Sequence, residues 1–397
     1  MNKSKADAED SPLHPATRLV TGGREDIPHG FVNPPVHHVS TVLYPSAEDF
    51  LARRARYVYG RRGTPTTQAL EDALRELEGP NCIGVAIVPS GLAAISTALL
   101  SLLVCGDHLL VSDSVYHPTR KFCDTVLKRC GIATSYYDPM IGAGIAELFQ
   151  PRTRAVFVEA PGSLTFEVQD VPAIANEAHA RGALVVIDNT WATPLFFRAF
   201  ENGVDVSIQA ATKYIGGHSD LMLGTISANH ASWPRVSESV YLLGLCAGPD
   251  DVYLALRGLR SLSARLAQHQ EAALRIARWL EQRIEIARVL HPALPGCPGH
   301  AIWQRDFTGS SGLFSIVLRP VPETAVHAFL NALRLFGIGA SWGGFESLAI
   351  PFDAAEIRTA SRWAPEGPTV RLHIGLEAVE DLIADLERGF AALAAAR

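Results

Sequence analysis

A single lysine stands in a turn of small residues that follows an apolar stretch of the sequence. Lys213 comes after the apolar residues 204–208 and is directly preceded by Ala-Ala-Thr. Between Asp205 and Asp220 there is no carboxylate that could pair with its amine. Burial without such a partner lowers the pKa of a lysine and frees the amine as a nucleophile. A lone lysine more often lies on the surface, so a second residue has to decide between the two.

Asp188 supplies that second residue. It ends the apolar stretch 183–188, one predicted strand before Lys213. Ligands of a parallel sheet bind beyond the carboxyl ends of its strands, where Asp188 would face them; taken alone, it could also be a turn or helix-capping aspartate. A lysine and a carboxylate are the two groups that pyridoxal phosphate requires, one for the Schiff base and one to keep the pyridine nitrogen protonated. The pair therefore predicts a pyridoxal phosphate site.

The phosphate of such a cofactor needs hydrogen-bond donors of its own. Ser90, Gly91 and Leu92 lie between an apolar stretch and a predicted helix, so N–H groups at the helix start could bind an anion. An ordinary strand-to-helix turn is the alternative. Thr212 could add a hydroxyl beside Lys213. There is no G-x-x-x-x-G-K-[ST] motif and no G-x-G-x-x-G motif after a strand, which argues against P-loop and dinucleotide-binding proteins.

Strands and helices alternate through the middle of the chain. This predicts an α/β fold with a mainly parallel central sheet and helices on both faces. We expect a large domain over 63–258 and a smaller C-terminal α/β domain over 259–397. Residues 1–62 lack periodicity and predict an extended arm that contributes to a neighbouring subunit. The predicted strands are 83–88, 109–112, 155–159, 183–188 and 204–208, and the predicted helices are 91–103, 118–130, 170–181 and 194–202.

Composition and charge exclude several classes of protein. The chain has 397 residues and a net charge of −6 without a tract of Lys or Arg, so no nucleic-acid partner is expected. The charge-free stretch between Glu78 and Asp107 is interrupted by Pro89-Ser90-Gly91, which favours a strand, a turn and a helix over a membrane span. The N-terminus lacks the apolar region of a signal peptide, and no C-x-x-C pair occurs among six cysteines. Reduced thiols and a cytoplasmic location are therefore expected.

Two adjacent histidines, His37 and His38, raise the question of a metal site. Neighbouring side chains of an extended chain point to opposite sides and rarely bind one ion. No carboxylate or cysteine nearby completes a set of ligands. We interpret both as structural or surface residues and predict no metal.

The segments around Lys213 and Asp188 are similar to those of a known family. With Asp188-Asn-Thr-Trp and Ala-Thr-Lys213-Tyr, the chain resembles the Cys/Met-metabolism family of pyridoxal-phosphate enzymes, which contains β-lyases, γ-lyases and γ-synthases of sulfur amino acids. The resemblance covers nearly the whole chain and implies the fold type I, or aspartate-aminotransferase-like, architecture. It continues through 59–64, 170–174, 307–315, 341–344 and 371–375.

The resemblance implies roles for the matching positions. Lys213 and Asp188 should hold the cofactor, and Tyr116 should stack on its ring and serve, like Lys213, as a candidate proton donor. Tyr59 and Arg61 should reach the phosphate in the neighbouring subunit, which implies at least a dimer, and the family implies a homotetramer built as a dimer of dimers. The substrate, a small sulfur amino acid, should be bound by Arg371 through its α-carboxylate. Ser341, Trp342 and Tyr59 should line its pocket.

Three positions depart from the pattern of the family. Ala210 stands where many relatives carry a serine that contacts the phosphate. Val58 and Ala340 stand where γ-specific members often carry glutamate, so the resemblance favours β-cleavage of cystathionine, a carbon–sulfur lyase reaction of methionine biosynthesis. A γ-synthase or γ-lyase is the first alternative. A non-catalytic ligand-binding regulator of the same fold is the second, and the presence of Lys213 and Asp188 argues against it.

Overall fold

Two β-sheets organise the chain, and a computed structural model describes residues 13–24 and 27–396. The strands of the first sheet are β1 Gly84–Val88, β2 His108–Ser112, β3 Ala133–Tyr137, β4 Thr153–Glu159, β5 Leu184–Asp188, β6 Val206–Gln209 and β7 Gly224–Ala228. Those of the second sheet are β8 Ile286–Leu290, β9 Leu313–Leu318, β10 Leu348–Phe352 and β11 Thr369–His373.

Helices connect and cover the strands. They are α1 Pro15–Thr21, α2 Ala47–Leu51, α3 Pro65–Glu78, α4 Gly91–Leu102, α5 His117–Phe122, α6 Val171–His179, α7 Thr193–Phe196, α8 Trp233–Leu242, α9 Pro249–Glu281, α10 His300–Asp306, α11 Glu323–Ala332 and α12 Val379–Ala395. Shorter 3-10 turns span Pro28–Gly30, Gly60–Arg62, Gly142–Leu148 and Phe200–Asn202, and a π-helical turn spans Cys123–Leu127. No helix in the described part of the chain is long and apolar enough to cross a membrane.

The first sheet is mainly parallel, as predicted. Its order is β1-β7-β6-β5-β4-β2-β3, and β7 is the strand that runs against both of its neighbours. Helices cover both faces because its central strands are apolar on both sides of the pleat. Val185 and Ile187 pack with α6 residues on one face, whereas Val186 packs with α4 residues on the other.

The five predicted strands correspond to β1, β2, β4, β5 and β6, and the sequence pattern missed β3 and β7. The predicted helix 118–130 is α5 followed by the π-helical turn, and 194–202 is divided between α7 and a 3-10 turn. The second sheet has the order β10-β11-β9-β8 and is antiparallel throughout. Helix α9 spans 33 residues and therefore runs through the predicted domain boundary at 258/259. It packs both on α3 and on β8. The three predicted domain ranges stay a prediction.

Candidate active site

Three segments that are far apart in the sequence meet at one residue, Ser341. The loop after β6 contributes Lys213, whose Nζ donates a hydrogen bond to the hydroxyl of Ser341. Strand β11 contributes Arg371, whose Nη2 donates to the carbonyl oxygen of Ser341 at 2.8 Å. Trp342 follows in the same loop, and Nζ of Lys213 lies 5.3 Å from the centre of its ring. The structure thus joins four of the residues that the sequence predicted for one site.

The surroundings of Lys213 lower the pKa of its amine. Burial and the positive charge of Arg371 together lower its pKa to about 8, against the opposing negative charge of Asp188. Burial also lowers the pKa of Arg371 to about 10. A lysine with a pKa near 8 is partly neutral at physiological pH, so it can accept a proton or attack a carbonyl carbon.

Asp188 lies at the carboxyl end of β5, beside Ile208 of β6. Its Oδ1 accepts hydrogen bonds from the backbone N–H and the hydroxyl of Thr190, at 3.0 and 2.5 Å. Burial raises the pKa of Asp188, while the bonds from Thr190 and the charge of Lys213 act against that rise. The carboxylate is therefore oriented, and a cationic partner placed against it would favour its ionised form.

The sequence reasoning missed a second carboxyl group, that of Glu159. It ends β4 in register with Asp188 on β5 and accepts a hydrogen bond from the backbone N–H of Tyr116 at 2.7 Å. Burial, together with the charge of Asp188, raises the pKa of Glu159 well above its usual range. The rule that singled out Asp188, a carboxylate at the end of a predicted parallel strand, would also have found Glu159.

Tyr116 directly precedes helix α5 and lies next to these carboxyl groups. Burial and the charges of Glu159 and Asp188 raise the pKa of its phenol, and the charge of Arg371 partly offsets this. The side chain is still 45% exposed, so its ring is accessible to a ligand. A neutral phenol of this kind can donate a proton.

The start of α4 lies against the segment that leads to Lys213. A Cβ atom on Gly91 would stand 2.6 Å from Cβ of Ala210, so a side chain here would push the two apart. Ser90 caps the helix by accepting from the N–H of Ala93 at 3.1 Å. Leu92 is 40% exposed. The first N–H groups of a helix have no partner within it, which makes this end suitable for a phosphate.

Three further residues, Thr212, Tyr59 and Arg61, were predicted to contact the cofactor, and that role stays a prediction for each. The hydroxyl of Thr212 donates to the carbonyl of Leu223 at 3.2 Å and accepts from its N–H at 3.0 Å, so its proton is already used. Arg61 donates to the carbonyl of Tyr241 at 2.5 Å and lies over its ring. Tyr59 is 48% exposed. Neither Tyr59 nor Arg61 contacts Lys213 or Asp188 within the described chain.

The two adjacent histidines make separate contacts. His37 bonds to the hydroxyl of Thr66 through its N–H at 2.9 Å, whereas His38 lies 3.5 Å from a carboxylate oxygen of Asp250. Over residues 13–24 and 27–396, no group of three or more His, Cys, Asp or Glu side chains could hold a metal ion. All six cysteines are free thiols.

Comparisons with known proteins agree with this geometry. The model of the family described as "Cys/Met metabolism PLP-dependent enzyme" matches residues 16–391. The chain belongs to this family. A relative from Rhizobium johnstonii is 55% identical over 96% of both chains. The cystathionine beta-lyase of Salmonella typhimurium is 46% identical over 94% of this chain and 98% of its own. The solved structure of a cystathionine gamma synthase from Xanthomonas oryzae superposes with a TM-score of 0.89 at 32% identity, covering 98% of this chain and all of the other.

The residues of the site fit pyridoxal phosphate, the cofactor of this family. Lys213 offers an amine of lowered pKa, and Asp188 offers a half-buried carboxylate one strand away. The start of α4 offers backbone N–H groups beside the same loop, because Gly91 lets the helix approach Ala210. These are the Schiff-base, pyridine and phosphate contacts that the cofactor needs.

Proposed function

We propose that this protein is a carbon–sulfur lyase that cleaves L-cystathionine at the Cβ–S bond. With water, the products are L-homocysteine, pyruvate and ammonia, which places the reaction on the route to methionine. The observation that carries the proposal is the meeting of Lys213, Ser341 and Arg371, with Asp188 and Tyr116 beside them. Cystathionine beta-lyases from several bacteria, which are 44–46% identical over most of this chain, favour this reaction within the family.

The first task of the site is to hold the amino acid and remove its Cα proton. Arg371 would bind the α-carboxylate, because its planar fork of donors matches a carboxylate. The carbonyl of Ser341 already orients this guanidinium. Bound pyridoxal phosphate supplies an electron sink for the carbanion that forms at Cα. The amine of Lys213 would take the proton, and its lowered pKa leaves a fraction of it neutral near pH 7.

The second task is to protonate the departing sulfur. Lys213 carries the proton taken from Cα, and the hydroxyl of Ser341 keeps its amine in place. Tyr116 is the alternative donor, since burial and the neighbouring carboxyl groups raise the pKa of its phenol. Asp188 would stabilise the positive charge on the pyridine nitrogen throughout, and Thr190 fixes its orientation.

A γ-acting enzyme is the second candidate. Solved structures of a cystathionine gamma synthase and of a cystathionine gamma-lyase from Lactobacillus plantarum superpose with TM-scores of 0.89 and 0.88. γ-Chemistry removes a further proton at Cβ. Position 58 is a half-buried valine and position 340 an exposed alanine, so neither offers a base for that step. This absence supports β-cleavage.

The proposal includes assembly and location. Tyr59 and Arg61 would contact the cofactor phosphate of a neighbouring subunit in a cytoplasmic homotetramer. The exposed apolar side chains of the arm, Phe31, Leu43 and Leu51, support a contact with a neighbouring subunit. The start of α4 would bind the phosphate from within the same chain, and the hydroxyl of Thr212 would join it by turning away from the carbonyl of Leu223.

Release of a free thiol tests the proposal. Purified holoprotein incubated with L-cystathionine should release thiol steadily, whereas Lys213→Ala should release none above background. Cys246→Ser, which removes an exposed thiol outside the site, serves as the matched control and should behave like the wild type. Full turnover by Lys213→Ala would refute the mechanism.

A further inference from the structure

The turn Ser341–Gly344 holds an unusual backbone conformation directly against Lys213. Ser341 has a φ of 81° and Gly343 a φ of 88°, both in the left-handed region that a serine rarely adopts. A Cβ atom on Gly343 would stand 3.0 Å from the carbonyl carbon of Lys213, so the turn packs on the backbone that carries the amine. Such a conformation persists only where surrounding groups hold it.

Strand β11 holds this turn at two points. Alternate side chains of a strand point to the same face, so Arg371 and His373 both reach the turn. Arg371 donates to the carbonyl of Ser341 at 2.8 Å, and Nε2 of His373 accepts from the N–H of Gly343 at 3.1 Å. His373 is fully buried, and its ring lies 6.0 Å from that of Tyr214, the residue after Lys213.

Nε2 of His373 lies 3.1 Å from the carbonyl oxygen of Gly344 as well as from the backbone nitrogen of Gly343, so the tautomer decides which of the two it bonds. With the proton on Nδ1, which has no partner among the described residues, Nε2 accepts from Gly343; with the proton on Nε2, it donates to Gly344. The ring of His269 lies tilted at 5.3 Å, and its Nδ1 lies 2.8 Å from the carbonyl of Ile374, which leaves its Nε2 without a partner among the described residues. Burial lowers the pKa of His373 to about 3, which agrees with a neutral ring.

We propose that His373 is a positioning residue for the proposed reaction: as a neutral imidazole it accepts from Gly343 and thereby holds Ser341 between Lys213 and Arg371. For its effect on turnover, this inference rests on the proposed function. His373 itself does not touch substrate or cofactor. Without its acceptor, the N–H of Gly343 is left buried and unbonded, and the turn can relax away from Lys213.

Two amide substitutions separate this role from simple packing. His373→Gln places a carbonyl oxygen near the position of Nε2, whereas His373→Asn stops one methylene short of Gly343. Both are neutral and polar, so their folding should be affected similarly. We expect kcat/KM for L-cystathionine to stay within about threefold of wild type in His373→Gln and to fall by about tenfold or more in His373→Asn, because small displacements of reacting groups are costly.

A spectroscopic readout tests the same point without turnover. The visible absorption of the holoprotein changes with pH, and the midpoint of that change reports the surroundings of the Lys213 nitrogen. This midpoint should shift in His373→Asn but not in His373→Gln. His291→Asn is the matched control, since His291 is also fully buried and accepts a backbone N–H, from Ala293 at 3.1 Å, but packs on Phe314 away from the site. It should leave the midpoint unchanged.

Equal behaviour of the Gln and Asn variants, whether both active or both impaired, would overturn the inference. If neither variant folds, NMR of wild-type protein with 15N-labelled histidine decides, because a protonated Nε2 in His373 would also overturn it. Failure of the wild type to release thiol from cystathionine, with the absorption midpoint still separating the two variants, would refute the proposed function and leave the role of His373 standing.

Discussion

The amine of Lys213 lies where charges of both signs meet. Burial and Arg371 disfavour its ammonium form and Asp188 favours it, and the first two prevail. The sequence predicted both Lys213 and Asp188 because each shows a local signal, a lone lysine in a small-residue turn and a carboxylate ending an apolar strand. Ser341 and Arg371 show no such signal, and only the resemblance to a family pointed to them. Lys213, Asp188, Ser341 and Arg371 come together only because distant segments of the chain pack on one another.

The lowered pKa of Lys213 predicts selective labelling. The chain contains five lysines, and two of them, Lys121 and Lys128, are exposed internal controls. Below pH 8 the amine of Lys213 is mostly protonated and unreactive, so in cofactor-free protein its acylation rate should rise through a midpoint near pH 8. Peptide mass spectrometry after brief labelling measures this. A midpoint as high as that of the exposed lysines would contradict the assignment.

At the level of elements, helix α4 and strand β6 determine where a phosphate can lie. The sequence pattern predicted both, because buried elements of a parallel sheet show continuous apolar runs. It missed β3, which is a partly exposed edge strand, and β7, which consists of small and polar residues, Gly-Thr-Ile-Ser-Ala. Neither strand has an apolar pattern of its own, and pairing with neighbouring strands defines both.

The contact between Gly91 and Ala210 predicts how tightly the cofactor is held. Gly91→Ala would bring two Cβ atoms to 2.6 Å, so α4 must move away from the loop of Lys213. We expect the cofactor to be lost on dialysis about tenfold faster, because the phosphate loses aligned N–H donors. Gly296→Ala is the control, since nothing lies within 4 Å of its added Cβ. Equal cofactor retention by the two variants would count against a phosphate site at α4.

A buried carboxylate fastens a C-terminal loop to the first sheet. Asp113 follows β2 and accepts from the N–H groups of Thr359, Ala360 and Ser361 at 2.7–3.2 Å and from Arg120 at 2.5 Å. Burial raises its pKa, but the hydrogen bonds outweigh burial and hold the pKa below its usual range. Tyr116 lies three residues further on, so this contact also fixes one wall of the site.

Asp113→Asn should therefore lower the free energy of unfolding by about 2 kcal/mol at pH 7. Because the carboxylate has a depressed pKa in the folded state, its stabilisation is complete above the unfolded pKa of about 4 and is lost as the pH falls below it. Denaturant titrations at pH 7 and pH 3 should show the difference between wild type and variant shrinking in acid. Asp353→Asn, in the same loop but exposed, should have little effect at either pH. A difference independent of pH would exclude the ionised carboxylate as the cause.

For the whole molecule, the arm that contains Tyr59 and Arg61 decides whether a site is complete in one chain. The arm carries exposed apolar residues, and Arg61 is bonded to Tyr241 rather than to the Lys213 cluster. Sequence reasoning predicted an arm from its lack of periodicity. It also predicted that the arm contributes to a neighbouring subunit, but a partner surface leaves no periodic signal in a sequence, so residue patterns could not predict which residues would meet there.

The proposed sharing of sites between subunits predicts complementation. Lys213→Ala and Arg61→Ala should each be nearly inactive, but refolding the two together should restore activity, since a mixed dimer contains one site with both residues intact. Thiol release before and after mixing measures this. Lys213→Ala mixed with Asp188→Asn is the control that should not recover as much, because both changes affect the same chain's site. Absence of recovery would place Arg61 within its own chain's site or outside any site.

The keto acid released from L-cystathionine by the purified holoprotein tests the central claim most directly. The proposed β-cleavage yields pyruvate together with homocysteine, in equal amounts, and the apolar residues at 58 and 340 support that outcome. Chromatography of the keto acid and of the thiol identifies both products in one reaction. Release of 2-oxobutyrate with cysteine would contradict the account and assign the protein to γ-cleavage.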